Sequence, residues 1–72
     1  MSLTDITIWK NGNLVLEGAE GRYSNGRLQV AERPPAGLDD GDRVKIEASG
    51  GFSGLGTYMG EDPTGTLNFK ID

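Results

Sequence analysis

Two Asn-Gly dipeptides, each set between segments in which apolar and polar residues alternate, constrain the fold of this chain more than any other feature. The first is Asn11-Gly12 and the second is Asn25-Gly26. Asn-Gly in this setting is the strongest short-range signal for a β-hairpin, because a two-residue type I′ turn needs a positive φ at both central positions. The sequence therefore predicts two hairpins with left-handed backbone at all four turn residues.

The two turns lie in matching eight-residue segments. Residues 9–16 (WKNGNLVL) line up with residues 23–30 (YSNGRLQV) at an offset of 14. Each segment reads aromatic, any residue, Asn, Gly, any residue, Leu, any residue, aliphatic. A duplication and the shared sequence requirements of hairpins both explain such a match, and two copies are too few for a solenoid. We expect two successive hairpins built on one plan and separated by a turn at residues 17–19.

The remainder of the chain also favours short strands. Apolar residues alternate with polar ones at residues 43–48 and 67–71, and no segment keeps helical spacing over three turns. Two adjacent prolines exclude residues 33–37 from a central strand, because proline cannot donate to the ladder. Further connections are predicted from glycine and acidic turn residues at 38–42, 50–56 and 61–65.

The predicted fold class is all-β. We expect one domain over residues 1–72: a small antiparallel barrel or roll of five to six short strands in a meander, SH3-like by preference. Closing the sheet would remove its exposed edges, which are the main liability of a small antiparallel sheet. The side chains expected in the core are Ile6, Ile8, Leu14, Leu16, Leu28, Val30, Val44, Ile46, Leu67, Phe69 and Ile71.

Composition argues against an enzyme. The chain has no cysteine and no histidine, which removes disulfides, thiolate or imidazole metal sites and every histidine-based acid–base mechanism. The carboxylates of Glu47 and Glu61 remain as a conceivable acid–base pair, but a domain of 72 residues has little room for a cleft. We expect no catalytic residue, no cofactor and no metal. The acidic turn at residues 39–42 lacks the ligand spacing of a calcium loop.

Glycine-rich residues 51–56 (GFSGLG) also lack the features of a phosphate-binding loop, because no helix follows them. The candidate partner-binding residues are instead aromatic or cationic. Trp9 shares the strand parity of Thr7, opposite to Ile6 and Ile8, which places it on the solvent face, where tryptophan commonly anchors a partner. The alternative is that Trp9 and Tyr23 cover one end of a barrel. The full set of candidates is Trp9, Tyr23, Arg22, Arg27, Phe52 and Tyr58.

The charge balance bears on partners and location. Seven basic and eleven acidic residues give a net charge of −4, which disfavours binding to phosphate backbones. No apolar run of 18 residues exists that could span a bilayer, and the absence of cysteine fits a reducing cytoplasm. We expect a cytoplasmic protein with a protein partner or a homo-oligomeric state, no membrane contact, and no strong nucleic-acid binding.

One segment resembles a KOW motif. Residues 41–46 (GDRVKI), followed by residues 50–57 (GGFSGLGT), are similar to the Gly-Asp, alternating aliphatics and glycine loop of KOW segments. KOW segments occur in SH3-like barrels of ribosomal and transcription-elongation proteins. The resemblance implies an SH3-like barrel that binds protein or nucleic acid through loops such as residues 50–56.

A second stretch, from about residue 20 to 47, resembles a PilZ domain. Ser24-Asn25-Gly26, with Leu28 and Val30 after it and Gly41-Asp42-Arg43-Val44 later, is similar to the second PilZ motif. PilZ domains are β-barrels that sense cyclic di-GMP. Arg22 and Arg27 are five positions apart rather than four, and Arg22 replaces the expected Asp or Asn. The resemblance therefore implies a degenerate form that does not bind the nucleotide.

Taken together, the residues favour a non-catalytic protein-interaction or assembly module. The alternative is a nucleic-acid or nucleotide-binding barrel of the KOW or PilZ kind. In that case residues 50–56 and the arginines Arg22, Arg27, Arg33 and Arg43 would make the contacts.

Overall fold

The computed structural model describes all 72 residues and contains six β-strands and no helix. There is accordingly no helix long and apolar enough to cross a membrane. The strands are β1 (Ser2–Lys10), β2 (Asn13–Ser24), β3 (Arg27–Val30), β4 (Arg43–Ala48), β5 (Phe52–Glu61) and β6 (Leu67–Ile71).

The six strands form a closed antiparallel barrel in the order β1-β2-β3-β6-β5-β4, with β4 paired back to β1. The predicted all-β class and small SH3-like barrel are therefore confirmed. The connectivity differs from one continuous meander. β1-β2-β3 and β4-β5-β6 are two three-stranded meanders that join along the β1–β4 and β3–β6 seams. Since every strand has two neighbours, the barrel has no free edge.

Both Asn-Gly hairpins have the predicted turn. Asn11 and Gly12 have φ of 52° and 78°, and Asn25 and Gly26 have φ of 51° and 76°. These are the left-handed values that a type I′ turn requires. The turns stand at opposite ends of the barrel, because β2 runs between them.

The predicted turn at residues 17–19 is wrong, because β2 runs unbroken for 12 residues past this point. Gly18 has a φ of 70°, and the register between β1 and β2 shifts there and again at Val15. Both shifts are bulges in β2, each placing one extra residue opposite the partner strand. A bulge at glycine bends a strand without ending it, so the two hairpins share one long strand. β1, β2 and β5 are longer than the short strands expected.

The core agrees with the predicted one except at its margin. Of the predicted core residues, Leu16 and Ile71 are partly buried against the cluster, and Leu14 is wrong, being 50% exposed. Alternation also missed Leu3, Ala19, Leu38 and Tyr58. The buried hydrophobic residues of the core are Leu3, Ile6, Ile8, Ala19, Leu28, Val30, Leu38, Val44, Ile46, Tyr58, Leu67 and Phe69.

Two inward glycines let the strands approach closely. A Cβ on Gly56 would lie 2.6 Å from the carbonyl oxygen of Lys70, and a Cβ on Gly21 would overlap that of Gln29. The predicted connection at residues 50–56 is wrong, because the glycines in this segment allow a strand to pack closely instead of forming a loop. Only Ser49–Gly51 form a turn, and the remaining residues belong to β5, where glycine fits against β6.

Residues 31–42 connect the two meanders across one end of the barrel. Leu38 is buried in the core, and backbone hydrogen bonds tie Gly41 and Asp42 to Tyr58 of β5. The Lys10 ammonium, at the end of β1, donates to the Gly37 carbonyl at 2.8 Å and lies 2.7 Å from the Asp42 carboxylate. The connection is therefore fixed to the barrel by one apolar and one ionic anchor.

Candidate functional site

Four outward side chains lie side by side across the barrel wall. The register places Leu14 of β2 opposite Trp9 of β1, Trp9 opposite Lys45 of β4, and Lys45 opposite Leu55 of β5. Directly opposed residues have Cβ atoms about 5 Å apart, so the row spans about 14 Å over four strands. We call Leu14, Trp9, Lys45 and Leu55 the Trp9 row.

The Trp9 row is apolar and open to solvent. Leu14 is 50% exposed and Leu55 is 55% exposed. Trp9 is half-buried but does not belong to the core cluster. This confirms the predicted solvent-facing parity of Trp9. An exposed apolar patch of this kind is typical of an interaction surface.

The single charge within the Trp9 row is held loosely. The Lys45 ammonium lies 5.7 Å from the centroid of the Trp9 ring, within the range of a cation–π contact. Its nearest carboxylate is that of Glu47, at 3.7 Å, and both side chains are about half exposed. The ammonium thus has an aromatic face on one side and only a weak ion pair on the other.

A shallow depression of about 240 Å³ adjoins the row, lined by Trp9, Leu55, Lys45 and the Asn11-Gly12 turn. Arg43 also borders it, but its guanidinium is engaged with Asp72 and donates to the Thr57 hydroxyl at 2.9 Å. The hydrogen bond from Arg43 to Asp72 also holds the pKa of the Asp72 carboxyl below its usual value. Arg43 therefore rims the depression as one half of an ion pair.

The candidates Arg22 and Arg27 meet in a different place. They line a groove of about 430 Å³ on the outside of β2 and β3, together with Tyr23, Ser24 and Gln29. We call this the arginine groove; its remaining lining residues are Met1 and Ser2. The groove and the Trp9 row both include β2 but lie near its opposite ends, the row at Leu14 beside the first turn and the groove at residues 22–24 beside the second.

The other aromatic candidates belong to the interior or its margin. Tyr23 packs edge-to-face on Phe52 with ring centroids 5.2 Å apart, and both rings pack against the core at one end of the barrel. Tyr58 is 3% exposed and contacts Phe69. Burial raises the pKa of its phenol. Tyr58 therefore offers almost no surface to a partner.

The carboxylates of Glu47 and Glu61, the acid–base pair considered from the sequence, are not brought together. Glu47 lies opposite Ser53 near the start of β5, whereas Glu61 is the last residue of that strand, so the two carboxylates lie toward opposite ends of β5. No group of three or more acidic side chains is placed to hold a metal ion. In the acidic turn, Asp42 instead accepts a hydrogen bond from the Asp39 amide and pairs with Lys10.

Sequence reasoning found Trp9 but missed its neighbours. Alternation predicts a core position for Leu14, because the bulge at Val15 that reverses its face cannot be read from the pattern of apolar residues. Leu55 lay within a predicted connection. A search for leucines opposite Trp9 in an Asn-Gly hairpin register would have identified Leu14.

Comparison with protein-family models, curated proteins and solved structures finds no match to this chain. The geometry of the two surfaces is therefore the basis for any inference about function.

Proposed function

We propose that this barrel is a non-catalytic protein-interaction module whose binding surface is the Trp9 row. The observation that carries the proposal is the alignment of Leu14, Trp9 and Leu55 in one solvent-facing row. Aromatic and aliphatic side chains grouped in this way provide the buried anchors of protein interfaces.

Lys45 defines the chemistry of the partner. A partner that covers Trp9 and Leu55 also removes water from the Lys45 ammonium that lies between them. A desolvated charge is costly unless it gains a hydrogen-bonded counter-ion, and Glu47 at 3.7 Å is too distant to serve alone. The partner is therefore a protein segment that presents apolar side chains together with a carboxylate.

The closed sheet restricts how the partner binds. Every strand of the barrel is paired on both sides, so a partner strand has no edge to extend. Binding therefore occurs through side chains that lie flat on the wall of β2, β1, β4 and β5. The depression beside Trp9, about 240 Å³ in volume, accommodates one apolar side chain of the partner.

The test is capture from nuclease-treated source lysate with four immobilised proteins. These are the wild type, Trp9→Ala, Leu55→Ser and the matched control Met59→Ser. Met59 is a comparable control because it is 51% exposed on β5 but lies outside the Trp9 row. We expect a partner retained by the wild type and Met59→Ser and lost from both row variants. The purified partner should bind the Lys45→Glu variant at least about tenfold more weakly than it binds the wild type.

Two results would contradict the proposal. One is that Trp9→Ala and Leu55→Ser still capture the partner, or that Met59→Ser reduces its capture as much as they do. The other is sedimentation of the isolated chain as a dimer that Trp9→Ala dissociates, which would make a second copy the occupant. Circular dichroism of each variant shows whether the barrel is intact.

The alternative, a nucleic-acid-binding barrel, is weakened because three of the seven basic side chains form ion pairs, which leaves four. Arg43, Lys45 and Lys10 each face an acidic side chain, which cancels much of their field. We expect no measurable binding of mixed DNA or RNA at physiological salt by fluorescence polarisation. Submicromolar binding that falls steeply with salt and with Arg22→Ala would replace the protein-interaction proposal.

A further inference from the structure

The arginine groove is a region of unbalanced positive charge on an acidic protein. Three of the seven basic side chains form ion pairs, and all three lie outside the groove. Arg22 and Arg27 are exposed and form neither an ion pair nor a side-chain hydrogen bond. No acidic residue lines the groove. In a chain with eleven acidic residues, this separation of charge calls for an explanation.

The register brings the cations together rather than spreading them. Arg22 lies opposite Gln29 and Arg27 opposite Ser24, so the two arginines are diagonal neighbours on one face. Arg27 also lies directly opposite Lys70 of β6. Like charges that face each other across a strand pair destabilise a sheet. An anion placed between them would convert this repulsion into attraction.

We propose that the arginine groove binds the phosphate monoester of a small organic molecule. Guanidinium groups bind phosphate through paired, charge-assisted hydrogen bonds, and Ser24 adds a hydroxyl donor beside them. The groove volume of about 430 Å³ exceeds what one phosphate group needs. The remaining space admits the organic part of the ester, between Tyr23 and Gln29.

Three cations are too few for a polyanion. Binding of DNA or RNA at physiological salt relies on neutralising about 6–10 phosphates, whereas Arg22, Arg27 and Lys70 match the charge of one or two. On the barrel wall beyond them, Gln29 donates to Asn68, whose amide in turn donates to the Asp62 carboxylate. The ligand is therefore a compact phosphate ester and not a chain of them.

One nearby carboxylate opposes the anion. Glu20 lies two residues before Arg22 on the same outward face of β2, but it forms no ion pair with the arginine. Its charge repels a bound phosphate over a short distance. Neutralising Glu20 should therefore tighten binding, which gives the test a variant with the opposite sign.

The experiment is a titration of ¹⁵N-labelled protein with inorganic phosphate and adenosine 5′-monophosphate at constant ionic strength. We expect saturable shifts in the millimolar range at the amides of Arg22, Ser24 and Arg27. Arg22→Ala and Arg27→Ala should each weaken binding about tenfold or more, the loss expected for one charge-assisted contact. Glu20→Gln should strengthen it. The matched control is Arg33→Ala, an exposed arginine outside the groove.

Linear shifts that do not saturate would overturn the proposal, as would an equal loss of affinity in Arg33→Ala. So would tighter binding of adenosine than of adenosine 5′-monophosphate, because the phosphate would then contribute nothing. The result is independent of the Trp9 row: Trp9→Ala should leave the phosphate titration unchanged. The amide spectrum of each variant verifies that the barrel is folded.

Discussion

The two Asn-Gly hairpins share an eight-residue sequence pattern and the same turn, yet they present their leucines to opposite sides of the barrel wall. Leu14 pairs with Trp9 and is 50% exposed, whereas Leu28 pairs with Tyr23 and is fully buried. The local pairing across each turn is identical. The first hairpin has a bulge at Val15, which returns Leu16 toward the interior after Leu14 has faced solvent. It also has register shifts at Gly18 and between Leu3 and Ile6, whereas β2 and β3 pair without a shift.

This difference teaches where local sequence stops determining structure. Asn-Gly sets the turn and the cross-strand partners, because both depend on a few neighbouring dihedral angles. Which face of the hairpin enters the core depends on the rest of the barrel and on the bulges that adjust its twist. The first hairpin tip is free to display its apolar pair, and the second must contribute its pair to the core.

The largest expected effect separates the two matched leucines. Leu28→Ala should lower the free energy of unfolding by about 2–5 kcal/mol, the usual cost of truncating a buried leucine. Leu14→Ala should change it by less than about 0.5 kcal/mol, because the side chain is already half in water. Urea denaturation monitored by circular dichroism measures both values. Comparable losses for the two variants would mean that Leu14 is packed.

Substitutions at the two turn glycines should have similar effects on stability, unlike substitutions at the two leucines. Gly12→Val and Gly26→Val should each cost more than about 1 kcal/mol of unfolding free energy, because a β-branched residue is strained at the φ values of 78° and 76°. Matching Gly→Ala variants separate strain from bulk, since a Cβ meets no atom near Gly12 and only a distant one near Gly26. A stable Gly12→Val would show that the first turn is not of type I′.

Acid should loosen an anchor that only the first hairpin has. Lys10, directly before its turn, pairs with Asp42, and this contact holds the pKa of that carboxyl below its usual value of 3.8. A lowered pKa stabilises the fold at pH values above the unfolded pKa, and the stabilisation is lost as the pH falls through the folded pKa. The melting temperature should therefore fall below about pH 4, with a smaller fall in Asp42→Asn. An equal acid-induced fall in both proteins would assign it elsewhere, Asp62 and Asp72 being the other carboxyls with a lowered pKa.

Much of the barrel could be predicted from sequence, and the failures have physical causes. Turn chemistry located both hairpins, and alternation identified all the buried positions of β3 and β4. Alternation cannot predict the burial of Leu38, which reaches the core from an irregular segment. It also cannot predict that glycine lets β5 pack closely on β6. Trp9 was placed by parity alone, but its row required the register across four strands.

The measurement that tests the central comparison most directly uses the absence of cysteine from the chain. Leu14→Cys and Leu28→Cys each introduce a single thiol at matched hairpin positions, and a thiol-specific reagent reads their exposure in native buffer. We expect Leu14→Cys to react at nearly the rate of the urea-unfolded protein. Leu28→Cys should react more slowly by a factor on the order of 100 or greater, because its reaction requires opening of the barrel. Equal native rates at the two positions would contradict the account that one sequence pattern is turned outward and the other inward.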